Sequence, residues 1–234
     1  MIIKELKKID KNLFNGFLIE IYNNLKNSKE IKEKLKSLNF SFSKPEKKIL
    51  SLIDLVKKIP SDGCIVECGV GVGFSLAILS NISDKKIYAF DSFAGFPSEF
   101  SNKDDKNLKY FLPRKWHYKK MSEELVKENL VKNFVHKSNF NKRIYFKKGF
   151  FPETFKDFDE PISFLHLDVD LYQSYKDCLN YFYPKVIKGG IIAFDEYDPD
   201  IIKKKKKGYN FIGAKIAIDE FIQKNKLDLK SHYG

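Results

Sequence analysis

The chain has little from which to build a secreted scaffold or a membrane span. It carries 3 cysteines in 234 residues. Cys64, Cys68 and Cys178 form no metal-ligand spacing, so neither a disulfide framework nor a thiolate zinc site is expected. Two of them fall in apolar runs, and buried free thiols in a reducing cytosol are the simplest reading. No apolar run approaches the roughly 20 residues that span a bilayer, and the opening MIIKELKKID has no signal-peptide core or cleavage site. The expectation is a cytoplasmic protein without membrane insertion. Acidic residues are in deficit, 31 against 43 basic, for a formal net charge of +12. That excess favours an anionic partner through long-range attraction without saying which. The heavy use of Lys, Ile, Asn and Phe also matches A+T-rich coding, so part of the lysine excess carries no functional meaning.

Hydrophobic residues at 43% and aromatics at 15% supply a packed core, and the length suits one α/β domain with a modest extension. Residues 1–42 place apolar clusters (Leu13, Phe14, Phe17, Leu18, Ile21) among lysines at helical spacing, which predicts an N-terminal helical extension. Ser43-Lys44-Pro45-Glu46 reads as a capping box opening a helix that stops at Pro60. From Cys64 the period changes. Short β-rich runs (CIVEC, KIYAF, RIYFK, SFLHLD, GIIAFD) alternate with helical ones, including Ser174 to Tyr183 and Ala214 to Gln223. That alternation predicts a parallel sheet covered by helices on both faces, with ligands beyond the carboxyl ends of the strands. A further strand is expected to start at Leu227.

The first strand runs into Glu67-Cys68-Gly69-Val70-Gly71-Val72-Gly73. Glycines there let the backbone turn tightly and approach a ligand that a Cβ would push away. The dinucleotide pattern G-x-G-x-x-G fails, because Phe74 stands where its last glycine belongs. An acid at the strand end would repel a pyrophosphate but suits a ligand carrying an ammonium and a sulfonium, as S-adenosylmethionine does. Asp91, 22 residues after Gly69, stands where a carboxylate can accept both ribose hydroxyls. Ser75 and Ser92 flank these positions and, with Glu67, Gly69, Gly71, Gly73 and Asp91, are the expected cofactor contacts. Gly149-Phe150, after the third strand, is expected to flank the adenine, with an ordinary core aromatic the equal alternative for Phe150.

The fourth strand ends in His166-Leu167-Asp168-Val169-Asp170-Leu171-Tyr172 and the fifth in Asp195-Glu196-Tyr197. Adjacent parallel strands would bring Asp168, Asp195 and Glu196 together. Three carboxylates in one cleft repel one another unless a cation lies between them. Oxygen-only ligands suit Mg²⁺, with Mn²⁺ or Fe²⁺ as alternatives. The competing reading makes these acids N-caps, most credibly Asp170.

In order, IVECGVGVGFS, IYAFDSFAGFP, SEELVKENLVKNF, KKGFFPETF, LHLDVDLYQS, YPKVIKGGIIAFDEY and IGAKIAIDEF resemble the TylF-type macrocin O-methyltransferase family over residues 46 to 221. The resemblance implies a Rossmann-like class I methyltransferase domain over 43–234, a mostly parallel sheet flanked by helices. It also implies S-adenosylmethionine as cofactor, a divalent metal on Asp168, Asp195 and Glu196, and methylation of a sugar hydroxyl. The family usually has Gly where Val169 stands and Asp where Glu196 stands, and the final antiparallel strand of such enzymes is not expected within these residues, either because a tail was removed or because the sheet closes differently.

In that chemistry Asp168 would be metal ligand and proton acceptor, with His166 or His117 as weaker bases. Residues 92–140 read as a lid or substrate segment. Tyr172, Tyr197 and the lysines Lys203, Lys204 and Lys205 of the run 203–207 are the expected substrate contacts, although the lysines read equally as a solvated loop. The charge favours a nucleotide-linked sugar for surface polysaccharide. A glycosylated natural product of macrolide type is the alternative, and a homodimer is expected. An RNA methyltransferase or RNA-binding module finds no N-P-P-Y-like site or RNA-binding motif, so no nucleic acid partner is expected. A degenerate cofactor binder is disfavoured by the intact glycine and acidic motifs.

Overall fold

The computed structural model describes residues 51, 52, 54–106, 108, 122–133, 143–197 and 211–230. The helical extension 1–42, the capping box at 43–46, His117 and Lys203 to Lys207 lie outside them. Five strands, β1 (Cys64–Cys68), β2 (Ile87–Asp91), β3 (Ile144–Lys148), β4 (Ile162–Leu167) and β5 (Val186–Phe194), form one sheet in the order β3-β2-β1-β4-β5. Every neighbouring pair is parallel. Among the described residues it is accompanied by α1 (Phe74–Ile82), α2 (Glu123–Asn133), α3 (Tyr172–Phe182) and α4 (Ile212–Asn225), and residues 51, 52 and 54–56 before β1 are helical too. None of the described helices is long and apolar enough to cross a membrane.

The central strands are buried because both faces are covered. All residues of β1 and β4 are inaccessible, Glu67, Ser163 and His166 among them, whereas edge strand β5 is only half-buried. One core layer joins Ile65, Leu76, Leu79, Ile87 and Phe164 beneath α1 and α2. The other is aromatic: Phe155 meets Phe182 edge-on at 4.6 Å and Phe90 at 5.7 Å, an arrangement that suits the ring quadrupoles. Cys64, Cys68 and Cys178 are free and buried, and burial pushes the Cys64 thiol up to about 12.

Within the segment 92–140, the run SEELVKENLVKNF contains α2, which buries Val126 and Leu130. Two local expectations change. No strand starts at Leu227. The chain instead leaves α4 through Lys226 in the left-handed region, with Lys226 N–H on the Gln223 carbonyl and Leu227 N–H on that of Ile222. That is the double bond of a Schellman stop, and it satisfies the helix end without a strand partner. Finally, Asp170 does not cap α3. The cap position is Leu171, and it makes no side-chain capping bond.

Candidate functional site

The strand order reverses between β1 and β4, so their carboxyl ends open a crevice, and the motifs from the two halves meet there. Gly69 joins them. Its φ is +83°, and a Cβ would stand 1.9 Å from the Asp168 carbonyl oxygen. Asp168 N–H in turn donates to the Cys68 carbonyl at 2.9 Å. Gly73 is pressed by Val126 of α2, at 2.8 Å from a Cβ, whereas Gly71, at φ +54°, has open space around it. Of the three, Gly71 alone is left clear by the described protein, as a ligand-facing turn requires.

Asp91 does more than its position at the end of β2 suggests. Oδ2 accepts the N–H groups of Val70 (2.7 Å) and Gly71 (3.0 Å), and Oδ1 that of Phe93 (2.7 Å). A carboxylate offers roughly four acceptor positions. Three are occupied by backbone, so Asp91 braces the glycine turn and has room for about one ribose hydroxyl rather than two. Ser92 donates its hydroxyl proton to the Gly95 carbonyl at 2.7 Å and accepts from Ala94 N–H, and Ser75 is buried in the first turn of α1. Gly149 N–H donates to the Asp91 carbonyl at 2.9 Å, which brings Phe150 beside this corner. At 45% exposure Phe150 is not a core aromatic.

Glu67 and His166 are register partners on β1 and β4. Both are buried, and Glu67 Oε1 lies 3.0 Å from His166 Nδ1. The other oxygen, Oε2, is buried without a hydrogen-bond partner among the described residues. His166 Nε2 faces Asp195 Oδ1 at 3.9 Å. The imidazole thus stands between two carboxylates with about 1% of its surface exposed, a strut joining the two halves rather than a base open to substrate.

Asp168, Asp195 and Glu196 gather as their strand order requires, each offering a carboxylate oxygen within 4.8 Å of the others. Glu196 is buried, and burial together with the negative charge of Asp168, Asp195 and Asp170 holds its carboxyl well above the ordinary range. A hard divalent cation relieves that arrangement, because it replaces mutual repulsion by shared attraction. Glutamate in place of the family's aspartate reaches one carbon farther, and Tyr175 hydroxyl donates to its Oε2.

Tyr175 is wholly buried, with its hydroxyl also 3.1 Å from the Leu167 carbonyl, and sequence reasoning misses it. Its one signal is its place one turn into α3, where side chains lean back toward the helix start. Asp170 also carries more than a cap reading gives it. It sits at φ +58°, a conformation uncommon for a residue with a Cβ, and beside this cluster. The expected substrate tyrosines are engaged elsewhere: Tyr172 hydroxyl donates to Glu220 at 2.9 Å and Tyr197 hydroxyl to Asp219 at 2.8 Å, both on α4.

A braced glycine turn and an acidic cluster across the switch point of this sheet define a class I methyltransferase fold. Residues 46–224 match the family described as Macrocin-O-methyltransferase (TylF), and the chain belongs to that family. It is 30% identical over 146 residues to demethyldecarbamoylnovobiocin O-methyltransferase of Streptomyces niveus, covering 59% of this chain and 53% of that protein. The chain therefore spans about half the length of the curated relative it matches. Among solved structures, the O-methyltransferase NovP superposes with a TM-score of 0.65 at 25% identity, over 80% of this chain and 76% of NovP. The calicheamicin methyltransferase CalS11 gives 0.61 at 22% identity, over 91% and 85%, a likeness of fold.

Proposed function

We propose that the chain is an S-adenosylmethionine-dependent, divalent-metal-dependent O-methyltransferase that acts on a sugar hydroxyl of a glycosylated small molecule. The observation that carries this reading is the three-carboxylate cluster one strand away from the glycine turn. Family membership supports it, as does the name of the 30% identical relative. The surface-polysaccharide role expected from the charge gains no support from these relatives, and the glycosylated product fits them better.

S-adenosylmethionine would supply an electrophilic methyl group on a sulfonium. Gly71 leaves room for it, Asp91 retains one acceptor position toward a ribose, and the unpartnered Glu67 Oε2 favours a cationic ligand nearby. Phe150 offers a ring face at the same corner. A Mg²⁺ ion, or Mn²⁺ or Fe²⁺, held by Asp168, Asp195 and Glu196 would supply Lewis-acid polarisation of the substrate hydroxyl. The protein's own task is alignment, since an in-line displacement at carbon needs the oxygen at near-attack distance. In this reading Asp168 is both ligand and proton acceptor, with Asp170, two residues on and outside the three-carboxylate group, as a second carboxylate beside the cluster.

The test is methyl transfer from labelled S-adenosylmethionine to a panel of macrolide-type and other glycosides and of nucleotide-linked sugars, with and without chelator. Transfer to a glycoside that is lost with chelator and restored by Mg²⁺ is expected. Transfer confined to nucleotide-linked sugars would return the substrate to the reading suggested by the charge, and full activity in excess chelator would remove the metal.

A further inference from the structure

The N-terminus of α3 comes directly after the acidic loop, and its own sequence does not cap it. Leu171 occupies the cap position without a side-chain bond. Immediately before it, Leu171 N–H donates to the Val169 carbonyl at 2.5 Å, with Asp170 at φ +58° between them. That is a three-residue γ-turn of the rare, strained hand, and such a turn persists only where its surroundings enforce it.

The cap comes from 67 residues away. Asp105, in the segment after β2, accepts Tyr172 N–H on its Oδ2 at 2.8 Å. Asp105 is 1% exposed. Its Oδ1 has no hydrogen-bond partner among the described residues and is pressed against α4, where a Cβ on Gly213 would stand 2.0 Å away. Leu108 and Leu171 are buried together nearby, with Phe96, Phe100 and Phe211 packed on them. Burial of the half-satisfied carboxyl pushes it up to about 6. A serine or asparagine at position 171 would cap α3 more cheaply. A buried acid from another segment does what a local cap would not, because it ties the chain leaving Asp91 to the chain leaving Asp168.

We propose that Asp105 is a positioning residue for the reaction: by capping α3 from the segment after β2, it holds Asp168 to Leu171 in the strained turn that sets the acidic loop against the cofactor turn. This rests on the methyltransferase reading above.

Four variants test it: Asp105→Ala, Asp105→Asn, Gly213→Ala and the double variant Asp105→Ala/Gly213→Ala. Hydrogen exchange over residues 168–175, kcat and KM, and Kd for S-adenosylhomocysteine are measured on each. Asp105→Ala should speed exchange and lower kcat about tenfold or more, with Kd for S-adenosylhomocysteine within about twofold of wild type, since the glycine turn has its own brace. Asp105→Asn keeps an oxygen for Tyr172 N–H and should recover most of kcat. Gly213→Ala should reproduce the loss by displacing Oδ1, and the double variant, in which the Asp105 clash is gone and only Tyr172 Cβ at 3.1 Å stays close, should lie near Asp105→Ala. Faster exchange with unchanged kcat would make Asp105 a helix cap and nothing more, and wild-type kcat in Gly213→Ala would also overturn the proposal. Unaltered exchange in Asp105→Ala overturns it without reference to activity, whereas wild-type protein that methylates no substrate overturns the activity assignment instead.

Discussion

On the β1–β2 side of the crevice, the acid at the end of β2 is satisfied by the protein itself. Asp91 accepts three backbone N–H groups and the glycine turn closes around it. On the β4–β5 side the acids crowd one another, Glu196 is held protonated beyond its ordinary range, and Asp170 sits in strained backbone. One half is braced by backbone hydrogen bonds, with Glu67 Oε2 the exception. The other crowds like charges, which a guest that brings positive charge would relieve. The contrast separates preorganisation by hydrogen bonding from preorganisation by electrostatic frustration, and it says which half should respond to metal, pH and chelation.

The largest effect expected from that contrast is on turnover. Asp195→Ala, or excess chelator, should reduce methyl transfer to background while Kd for S-adenosylhomocysteine changes by less than about threefold, because the two sites lie on different loops. A parallel loss of cofactor binding would mean that the halves are not separable, with the Glu67–His166–Asp195 strut as the suspected link.

A second effect falls on the glycines. Gly69→Ala drives a Cβ into the Asp168 carbonyl, a backbone clash that should cost about 4 kcal/mol or more in denaturant unfolding. Gly71→Ala meets open space and should cost only the left-handed backbone term of about 1–2 kcal/mol, yet weaken S-adenosylhomocysteine binding more than its stability change explains. Equal stability losses at the two positions would break the assignment of Gly69 to the seam and Gly71 to the ligand.

The acidic half should also make stability depend jointly on metal and pH. Glu196 has a higher pKa in the fold than in the unfolded chain, where it has the ordinary value of 4.5. Without metal the fold then binds more protons than the unfolded chain over that interval, and stability falls as pH rises through it. A divalent cation displaces the proton, so stabilisation by Mg²⁺ should be small at a pH just above 4.5 and larger, about 5 °C in Tm, at a clearly higher pH at saturating metal. A Mg²⁺ effect of equal size at both pH values would remove Glu196 from the ligand set.

The parallel sheet and both motifs were legible because they depend on local period and on residues at strand ends. The continuous apolar runs CIVEC and SFLHL place two strands, and E-x-G-x-G-x-G and D-x-D place the turns at their carboxyl ends. Bonds between distant segments could not be read. Asp105 to Tyr172, Tyr175 to Glu196 and Glu67 to His166 pair residues on different segments, and no spacing rule links them. Asp170 misled for a related reason. An acid just before a helix is the ordinary signature of a cap, and only the donor arriving on Asp105 removes that role. Leu227 misled because leucines alternating with charged residues after a helix imitate a strand, while the backbone bonds of Lys226 and Leu227 close α4.

The smallest expected effect concerns the tyrosines just after the two acidic runs. Their hydroxyls sit on Glu220 and Asp219 of α4, with Lys176 and Lys215 lying over the rings at 5.6 and 5.4 Å. These are partly exposed contacts between helices and loops, on the flank of the crevice away from the glycine turn. Tyr172→Phe and Tyr197→Phe each remove one hydrogen bond to a charged partner that water can replace, so a loss of about 0.5–1.5 kcal/mol in stability is expected. KM for a glycoside should stay within about twofold, since the lost group was not directed at substrate. Tyr175→Phe provides the contrast. It removes a buried donor from Glu196, leaves that carboxylate to the cluster alone, and should weaken Mg²⁺ binding about tenfold, in the range of lost outer-shell partners of metal ligands. A KM rise of tenfold in Tyr172→Phe or Tyr197→Phe, with stability unchanged, would reverse the order and return these hydroxyls to the substrate.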